Sequence, residues 1–248
     1  GLRTFLAFGS DSEDAGWAKG IKLTLNFGLD YRNKSQKSYM NMHHGNQAAA
    51  GGLLMKYNRR TQSYTFNQLL TWGRSFNFYN IDLLVGHEFY AYKYEFLSAG
   101  KTNLVDGILE LRPGTNLYNA DSYSEDYRVE SFFGRFNYNF NEKYYFSASI
   151  RTDGSSRFQK RHRFGSFPSA SIGWNINREK FFKPLENIFD QFKFRFSYGK
   201  LGNQQMDNYY PTISIVSDGM NYLQGNNIWF GQLPNVTAVS PTNLTWES

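Results

Sequence analysis

The sequence lacks cysteine altogether, and it holds only 6 prolines and 4 histidines among 248 residues. Without cysteine there is no disulfide framework and no thiolate-bound metal. The chain also lacks any run of about 18 apolar residues, the length that a membrane-spanning helix needs. These absences exclude a disulfide-rich scaffold and a helical membrane protein. They leave a membrane-spanning β-barrel open, because the polar inner face of a barrel strand offsets its apolar outer face in any average.

Concentrated charge is missing as well. The chain carries 27 Lys and Arg against 21 Asp and Glu, a net charge of +6. Its densest basic segment, RFQKRHRFG at 157–165, alternates bases with aromatic residues. We interpret this segment as an outer loop, with lipopolysaccharide phosphates as an alternative ligand. Because no long basic run occurs, the sequence predicts no nucleic-acid binding.

The polar residues form no recognisable catalytic or metal-binding motif. His43 and His44 are adjacent, and neighbouring side chains of an extended chain point in opposite directions, so the pair is poorly placed to chelate one metal ion. No motif supports a Ser-His-Asp site for nucleophilic catalysis. The sequence therefore predicts neither an enzyme nor a cofactor.

Aromatic residues are abundant instead, with 23 Phe and 18 Tyr, and they recur at every second position. In segment 21–31 the apolar residues share one face: Ile21, Leu23, Leu25, Phe27, Leu29 and Tyr31. Alternation with period two predicts a β-strand. At ~3.3 Å per residue and a tilt of ~40°, this strand rises roughly 27 Å, which matches the apolar belt of an outer-membrane barrel.

The same alternation predicts about seven to eight strands in the chain. The further segments are 57–72, 76–90, 131–140, 144–152, 170–176 and 192–198, with another strand starting near Leu244. Long polar connections (32–56, 96–126, 154–166 and 200–243) alternate with short ones (73–75, 141–143 and 178–191). Outer-membrane barrels have short periplasmic turns and long outer loops, so we predict that the long connections face the cell exterior.

Aromatic residues also cluster beside the short connections. They are Trp72, Phe76, Tyr138, Phe140, Tyr144, Trp174, Phe181 and Phe182. Amphipathic rings at one height are typical of the girdle at a membrane interface. The alternative is the aromatic core of a soluble domain. Within the last short connection, 178–191, we predict a helical turn that Pro184 ends.

One block of motifs resembles a known family. The segments SFFGRFNYNFNEKYYFSASIRTDGSSRFQKRHRFGSFPSASIGWNINREKFF (131–182) and FKFRFSYGKLGNQ (192–204) carry the resemblance. Within them the matching elements are 134–138, 151–158, 165–169, 173–174, 197–199 and 202–203, and NLTWES (243–248) resembles the opening of the strand that follows in the family. The block is similar to the barrel of SusC/RagA-type TonB-dependent outer-membrane transporters.

The resemblance implies an all-β fold, a transmembrane antiparallel β-barrel of which residues 1–248 form one incomplete domain. Barrels of this family have about 22 strands, so the plug domain and the barrel closure are expected to be absent from the chain. The implied function is TonB-dependent import of an oligosaccharide (glycan) or a peptide across the outer membrane of a Gram-negative bacterium. The implied partners are a SusD-like surface lipoprotein, the TonB complex acting through the plug, and outer-membrane lipid.

Other functions remain open at this point. A TonB-dependent receptor of the siderophore type would share the barrel, although the motif block disfavours it. A passive porin would share the alternation of the strands. A soluble carbohydrate-binding β-domain would show the same alternation but would stay dispersed in buffer without detergent.

The residues that bind the substrate are predicted in the connection 200–243, where aromatic residues lie among Asn, Gln and Gly. The candidates are Tyr209, Tyr210, Tyr222, Trp229 and Phe230. An aromatic ring stacks on the C–H face of a sugar, and amide side chains bind the sugar hydroxyls. The alternative is that these loop residues pack against one another.

Overall fold

A sheet of eight strands, hydrogen-bonded in chain order from β1 to β8, dominates the computed structural model. The strands are β1 (Leu2–Ser10), β2 (Ile21–Met40), β3 (Leu53–Phe76), β4 (Tyr79–Thr102), β5 (Asn116–Phe140), β6 (Tyr144–Ser155), β7 (Phe164–Asn175) and β8 (Lys193–Gly199). The structure describes residues 1–185, 188–189, 191–205, 209–211, 215–217, 222–224, 227–229, 235–238 and 244–247. The predicted all-β fold is confirmed.

Shorter elements complete the described part of the chain. Three 3-10 helices span Glu13–Ala18, Ile176–Arg178 and Lys180–Leu185. Four short strands, β9 (Ile215–Ser217), β10 (Tyr222–Gln224), β11 (Asn227–Trp229) and β12 (Asn235–Ala238), form two separate antiparallel pairs, β10 with β11 and β12 with β9. None of the helices in the described residues is long and apolar enough to cross a membrane.

The chain divides into two compact units. The first comprises Gly1–Leu6, Leu25–Asn67 and Phe89–Tyr127, and the second comprises Ala7–Thr24, Gln68–Glu88 and Arg128–Ser248. In the first unit, the side chain of Leu54 is fully buried. The backbone N–H of Asn103 donates to the carbonyl of Ala50 at 2.8 Å, which ties the connection after β4 to the connection after β2.

In the second unit, the register of β6, β7, β8 and the paired part of β5 from Val129 onward sorts the side chains into rows. Two apolar rows are Tyr138, Phe146, Ile172, Phe196 and Phe140, Tyr144, Trp174, Phe194. Two polar rows on the opposite side are Asn137, Ser147, Ser171, Ser197 and Arg135, Ser149, Ser169, Gly199. We call these sides the apolar face and the polar face. The side-chain alternation predicted from the sequence holds across these strands.

The apolar face is exposed rather than packed under a second layer. Ile172 is 51% exposed and Phe196 is 60% exposed, values that a water-soluble domain avoids over a contiguous patch. Burial is concentrated elsewhere, in a few side chains such as Phe158 and Leu54. A sheet with one bare apolar face and one polar face is suited to lipid on one side and water on the other.

Several predicted boundaries were wrong. β2 continues to Met40, β3 begins at Leu53 and β4 continues to Thr102, so the connections predicted at 32–56 and 96–126 shrink to 41–52 and 103–115. The reason is that the two-face alternation of hydrophobicity ends where both faces are in water, whereas the backbone ladder continues. Strand pairing does not require an apolar face.

The sheet has eight strands, in line with the seven to eight predicted, but the predicted position of the eighth strand was wrong. That strand is β1, whereas Leu244 lies outside the sheet and Glu247 forms an isolated bridge with Asn203. β1 escaped prediction because Phe5 and Ala7 make its second face apolar too, which weakens the period of two.

The short connections are present, one at the predicted residues and one displaced. Residues 141–143 join β5 to β6, and Asn141 and Glu142 adopt positive φ values of 50° and 55°, as a tight hairpin turn requires. The turn predicted at 73–75 lies instead at 77–78, between β3 and β4. The predicted helical turn in 178–191 is present as Lys180–Leu185, with Pro184 in its last turn.

The exposed apolar face generates a test with two adjacent residues at the same depth. Ile172 lies on the apolar face and Ser171 on the polar face. Arginine facing lipid costs roughly 1–4 kcal/mol between the interface and the midplane, so Ile172→Arg should lower the thermal unfolding temperature of the full-length protein in a lipid bilayer. Ser171→Arg, which faces water, should change it little. Equal effects of the two substitutions would contradict the assignment of the faces.

Candidate functional site

The polar face of β6, β7 and β8 carries two neighbouring hollows. They measure about 840 Å³ and about 690 Å³ and share the side chains of Ser147, Ser171 and Ser197. Small residues at alternate positions leave this space because a serine projects only one hydroxyl from the strand. The hydroxyls bond across the strands, with Ser149 Oγ 2.7 Å from Ser169 Oγ. Larger side chains also line the hollows, such as Tyr145 and Arg195 in the first and Arg151 in the second. The surface offers hydrogen-bond donors and acceptors to a polar solute.

Arg151 joins three strands at one end of this face. Its Nε donates to Asp153 Oδ1 at 2.7 Å, and its Nη2 donates to Glu88 Oε1 at 3.2 Å and to Ser131 Oγ at 3.0 Å. Its guanidinium carbon also lies 5.3 Å from the ring centroid of Phe133. Arg151 and Asp153 are two residues apart on β6, so they share a face by strand geometry. The cluster balances two carboxylates with one cation and adds a polar, rigid region to the hollow.

Aromatic rings form a continuous row at the short-turn end of the sheet. The ring centroids of Tyr79 and Phe140 lie 5.5 Å apart, those of Phe140 and Tyr144 6.2 Å, those of Tyr144 and Trp174 6.4 Å, and those of Trp174 and Phe181 6.3 Å. Four residues of the predicted girdle lie in this row, namely Phe140, Tyr144, Trp174 and Phe181, and Tyr79 joins them. Phe182 is an exception, because it is buried and stacks on Phe192 at 5.7 Å.

Glu179 anchors the row to the connection after β7. Tyr144 Oη donates to Glu179 Oε1 at 2.6 Å, Lys143 Nζ donates to Oε2 at 3.2 Å, and Trp174 Nε1 donates to Oε1 at 3.3 Å. The hydrogen bond from Tyr144, followed by those from Lys143 and Trp174, lowers the pKa of Glu179 below its ordinary value. The carboxylate is therefore held ionised, and it fixes the tyrosine and tryptophan rings in place.

The motifs that carried the family resemblance meet in one cluster at the other end of β6 and β7. The ring of Trp246 lies 5.1 Å from that of Phe158 and 5.3 Å from that of Phe167, and its Nε1 donates to the carbonyl of Arg163 at 2.9 Å. A Cβ on Gly202 would lie 2.0 Å from Phe167 Cζ, so any larger residue there would displace the Phe167 ring from the cluster. Sequence reasoning treated these motifs separately and did not predict that they pack together.

The predicted substrate residues are placed only in part. Tyr209 is half-buried, and its ring centroid lies 4.9 Å from the guanidinium carbon of Arg157. Tyr222 and Trp229 are partners across the β10–β11 pair. Phe230 lies outside the described residues. Their role in binding stays a prediction.

No cluster of three or more His, Asp or Glu side chains that could hold a metal ion occurs among the residues that the structure describes. His43 faces Asp106, with its Nε2 3.5 Å from a carboxylate oxygen. The two hollows of the polar face present hydroxyl and amide groups together with the charged side chains of Arg74, Asp82 and Arg195 in one and Arg151, Asp153 and Lys200 in the other.

Comparison with known proteins identifies the family. A family model described as "TonB dependent receptor-like, beta-barrel" matches residues 2–248. The chain belongs to this family of TonB-dependent receptors. Curated relatives include TonB-dependent receptor P3 of Formosa agariphila, 33% identical over 165 residues, which are 65% of this chain and 16% of that protein. TonB-dependent receptor SusC of Bacteroides thetaiotaomicron is 33% identical over 129 residues, 51% of this chain and 12% of SusC.

Solved structures agree with this assignment at the level of the fold. A structure of the RagAB peptide transporter superimposes with a TM-score of 0.80 at 24% identity, over 92% of this chain and 25% of that one. A further curated relative, compared by sequence alone, is TonB-dependent receptor P39 of Formosa agariphila, which aligns over 93% of this chain and 22% of its own length at 26% identity. The chain thus spans between about an eighth and a quarter of the proteins it matches. The resemblance to SusC/RagA-type receptors, an outer-membrane family, is confirmed.

The Arg151 cluster generates a prediction about stability. Arg151→Met removes the cation and leaves Glu88 and Asp153 without this partner. Because Arg151 is 43% exposed, solvent screens part of the loss, and we expect the full-length receptor to lose about 1–2 kcal/mol of unfolding free energy in detergent. Arg135→Met, an exposed arginine of the same face, is the control and should change it by less than about 0.5 kcal/mol. If the two variants have the same free energy of unfolding, the Arg151 cluster does not stabilise the receptor.

The lowered pKa of Glu179 predicts a pH dependence. A carboxylate with a depressed folded-state pKa stabilises the protein above the pKa of the unfolded chain and loses that contribution as the pH falls through the folded value. Between roughly pH 5 and pH 3, the unfolding temperature of the wild-type receptor should therefore fall more steeply than that of Glu179→Gln. Tyr144→Phe, which removes the strongest donor, should give an intermediate slope. Parallel curves for wild type and Glu179→Gln would refute the assignment.

Proposed function

We propose that this chain is a barrel section of a TonB-dependent importer in the outer membrane of a Gram-negative bacterium. The observation that carries the proposal is the pairing of an exposed apolar face with an opposite face of mainly polar side chains across β5 to β8. The apolar face is suited to lipid, and the serine-lined polar face with its hollows is suited to a wet passage. Membership in the family of TonB-dependent receptors supports the same conclusion.

The imported solute is an oligosaccharide or a peptide in this proposal. Similarity to SusC and the likeness in fold to the RagAB peptide transporter support this pair of alternatives. The same similarities support a SusD-like surface lipoprotein as the partner that covers the outer opening. Energy comes from the TonB complex, which acts on a plug domain elsewhere in the longer receptor. No residue performs covalent chemistry, since the protein binds, releases and conducts the solute.

The aromatic residues of the connection 200–243 form part of the proposed capture surface. Tyr209, Tyr210, Tyr222, Trp229 and Phe230 lie there among amide-bearing and glycine residues. The cation of Arg157 beside the Tyr209 ring supports a role for this end of the sheet in holding polar ligands.

Uptake by cells tests the proposal. The gene for the full-length receptor is deleted, and the cells are grown on a mixture of neutral oligosaccharides or on a tryptic digest of casein as the sole carbon source. We expect growth to fail on one of the two, to return with the intact gene, and to depend on the proton gradient, because TonB transmits that energy.

Other outcomes point to other functions. Growth that fails only under iron limitation would establish a siderophore receptor. Uptake that persists when a protonophore removes the proton gradient would establish a passive pore. Recovery of the native receptor in the soluble fraction without detergent would establish a soluble domain.

A further inference from the structure

The first unit contains a further cluster of side chains, made of seven aromatic residues and one arginine. It consists of Tyr57 and Arg59 on β3, Tyr90, Tyr92, Tyr94 and Phe96 on β4, and Tyr123 and Tyr127 on β5. We call this set the aromatic panel. The four residues of β4 occupy alternate positions, so they share one face of the strand. Their spacing extends the panel over roughly 20 Å along β4.

The rings of the panel contact one another in sequence. Tyr127 lies 5.6 Å from both Tyr90 and Tyr92, centroid to centroid, and Tyr123 lies 6.0 Å from Tyr94 and 5.1 Å from Phe96. The planes are inclined by 41° to 54° in these four contacts. Inclined rings leave part of each face uncovered, and Tyr123 is 48% exposed.

Arg59 closes the panel on the β3 side. Its guanidinium carbon lies 5.4 Å from the ring centroids of both Tyr57 and Phe96, and its Nη1 donates to Gln36 Oε1 at 3.2 Å. Cation–π contact and the amide together hold the guanidinium in place. The guanidinium thus adds hydrogen-bond donors at the end of the ring series.

Neither lipid nor a protein core accounts for these rings. On the opposite face of the same strands, Arg60 pairs with Glu95 at 3.2 Å and Lys93 pairs with Glu95 at 2.6 Å. Such ion pairs belong in water, so this stretch of β3 and β4 lies beyond the apolar belt. A contiguous series of half-exposed rings in water is typical of a binding surface.

The neighbouring groups select the kind of ligand. Amide and hydroxyl groups lie beside the rings, as in the hydrogen bond of 2.7 Å from Asn119 to Ser98. Two carboxylates of β5, Asp121 and Glu125, lie close enough to act electrostatically on Tyr123, which disfavours an anionic ligand. An extended peptide would add to the edge of a sheet, whereas β3, β4 and β5 each have a strand on both sides.

We infer that the aromatic panel binds a neutral oligosaccharide. The tyrosine and phenylalanine rings stack on the C–H faces of successive sugar rings, and Arg59, Gln36 and the tyrosine hydroxyls bind the sugar hydroxyls. The inference deepens the proposed import function, on which it rests, because it selects glycan over peptide.

Binding by the full-length receptor in detergent tests the inference. An array of neutral oligosaccharides, including maltoheptaose, laminariheptaose, cellohexaose and mannohexaose, identifies the probe, and titration calorimetry measures its affinity. The double substitution Tyr94→Ala with Tyr123→Ala removes two contacting rings and should weaken binding about tenfold or more. Tyr94→Phe keeps the ring and should retain most of the affinity.

The matched control is the ring pair on the opposite face of the same strands. Tyr64 and Phe89 have centroids 5.8 Å apart, and their double substitution to alanine should leave the affinity unchanged. If the panel double variant does not fold, as judged by its migration on a gel without heating, Tyr94→Leu and Tyr123→Leu take its place, because leucine keeps bulk and removes the ring.

Two results would overturn the inference. One is a wild-type receptor that binds no neutral oligosaccharide of the array, and the other is a folded panel variant that binds as tightly as wild type. If cells take up casein peptides and the receptor binds no glycan, the inference about the panel is wrong and the proposed import function stands. If the panel binds a glycan but uptake does not depend on energy, the inference stands and the proposed TonB-dependent import is wrong.

Discussion

The register between neighbouring strands is the constraint on which the structure depends. Side chains alternate with a period of two, so a slip of one residue would exchange the faces of a whole strand. Between β6 and β7, a slip of one residue in one direction would set Ser147 opposite Ile172, and a slip in the other direction would set Phe146 opposite Ser171. The exposed apolar face, the serine-lined hollows and the aromatic row all exist only in the one register. Lipid on one side and water on the other select that register without a buried core.

The ends of the sheet reinforce this selection in different ways. At the short-turn end, rings meet across strands and a carboxylate held by three donors fixes two of them. At the opposite end of β6 and β7, Trp246 packs on Phe158 and Phe167. Each of these two clusters fixes a residue of a connection, Glu179 or Trp246, against particular positions of β6 and β7 or the loop between them.

The central strands and their faces were predictable because hydrophobic alternation is a local signal. Segments 131–140 and 144–152 contain their own evidence, since apolar and polar residues alternate within each strand. Strand ends were not predictable in the same way. Residues 91–102 of β4 lie where the chain pairs by its backbone while Tyr, Lys and Glu share the strand, so the apolar alternation is lost. The aromatic panel escaped notice for the same reason, because only the pairing of β3, β4 and β5 brings its members together.

The bridge between Asn203 and Glu247, which lies outside the sheet, allows the connection between these residues to vary in length. Backbone hydrogen bonds of 2.9 Å and 3.3 Å join these residues, and Trp246 next to them is held against the connection between β6 and β7. These backbone hydrogen bonds join the two ends of the stretch between Asn203 and Glu247 whatever its sequence. Lengthening a closed loop is thermodynamically cheap, since each doubling of its length costs only about 0.6 kcal/mol. The length of the connection can therefore change at little cost in stability, while the strands of the sheet stay in place.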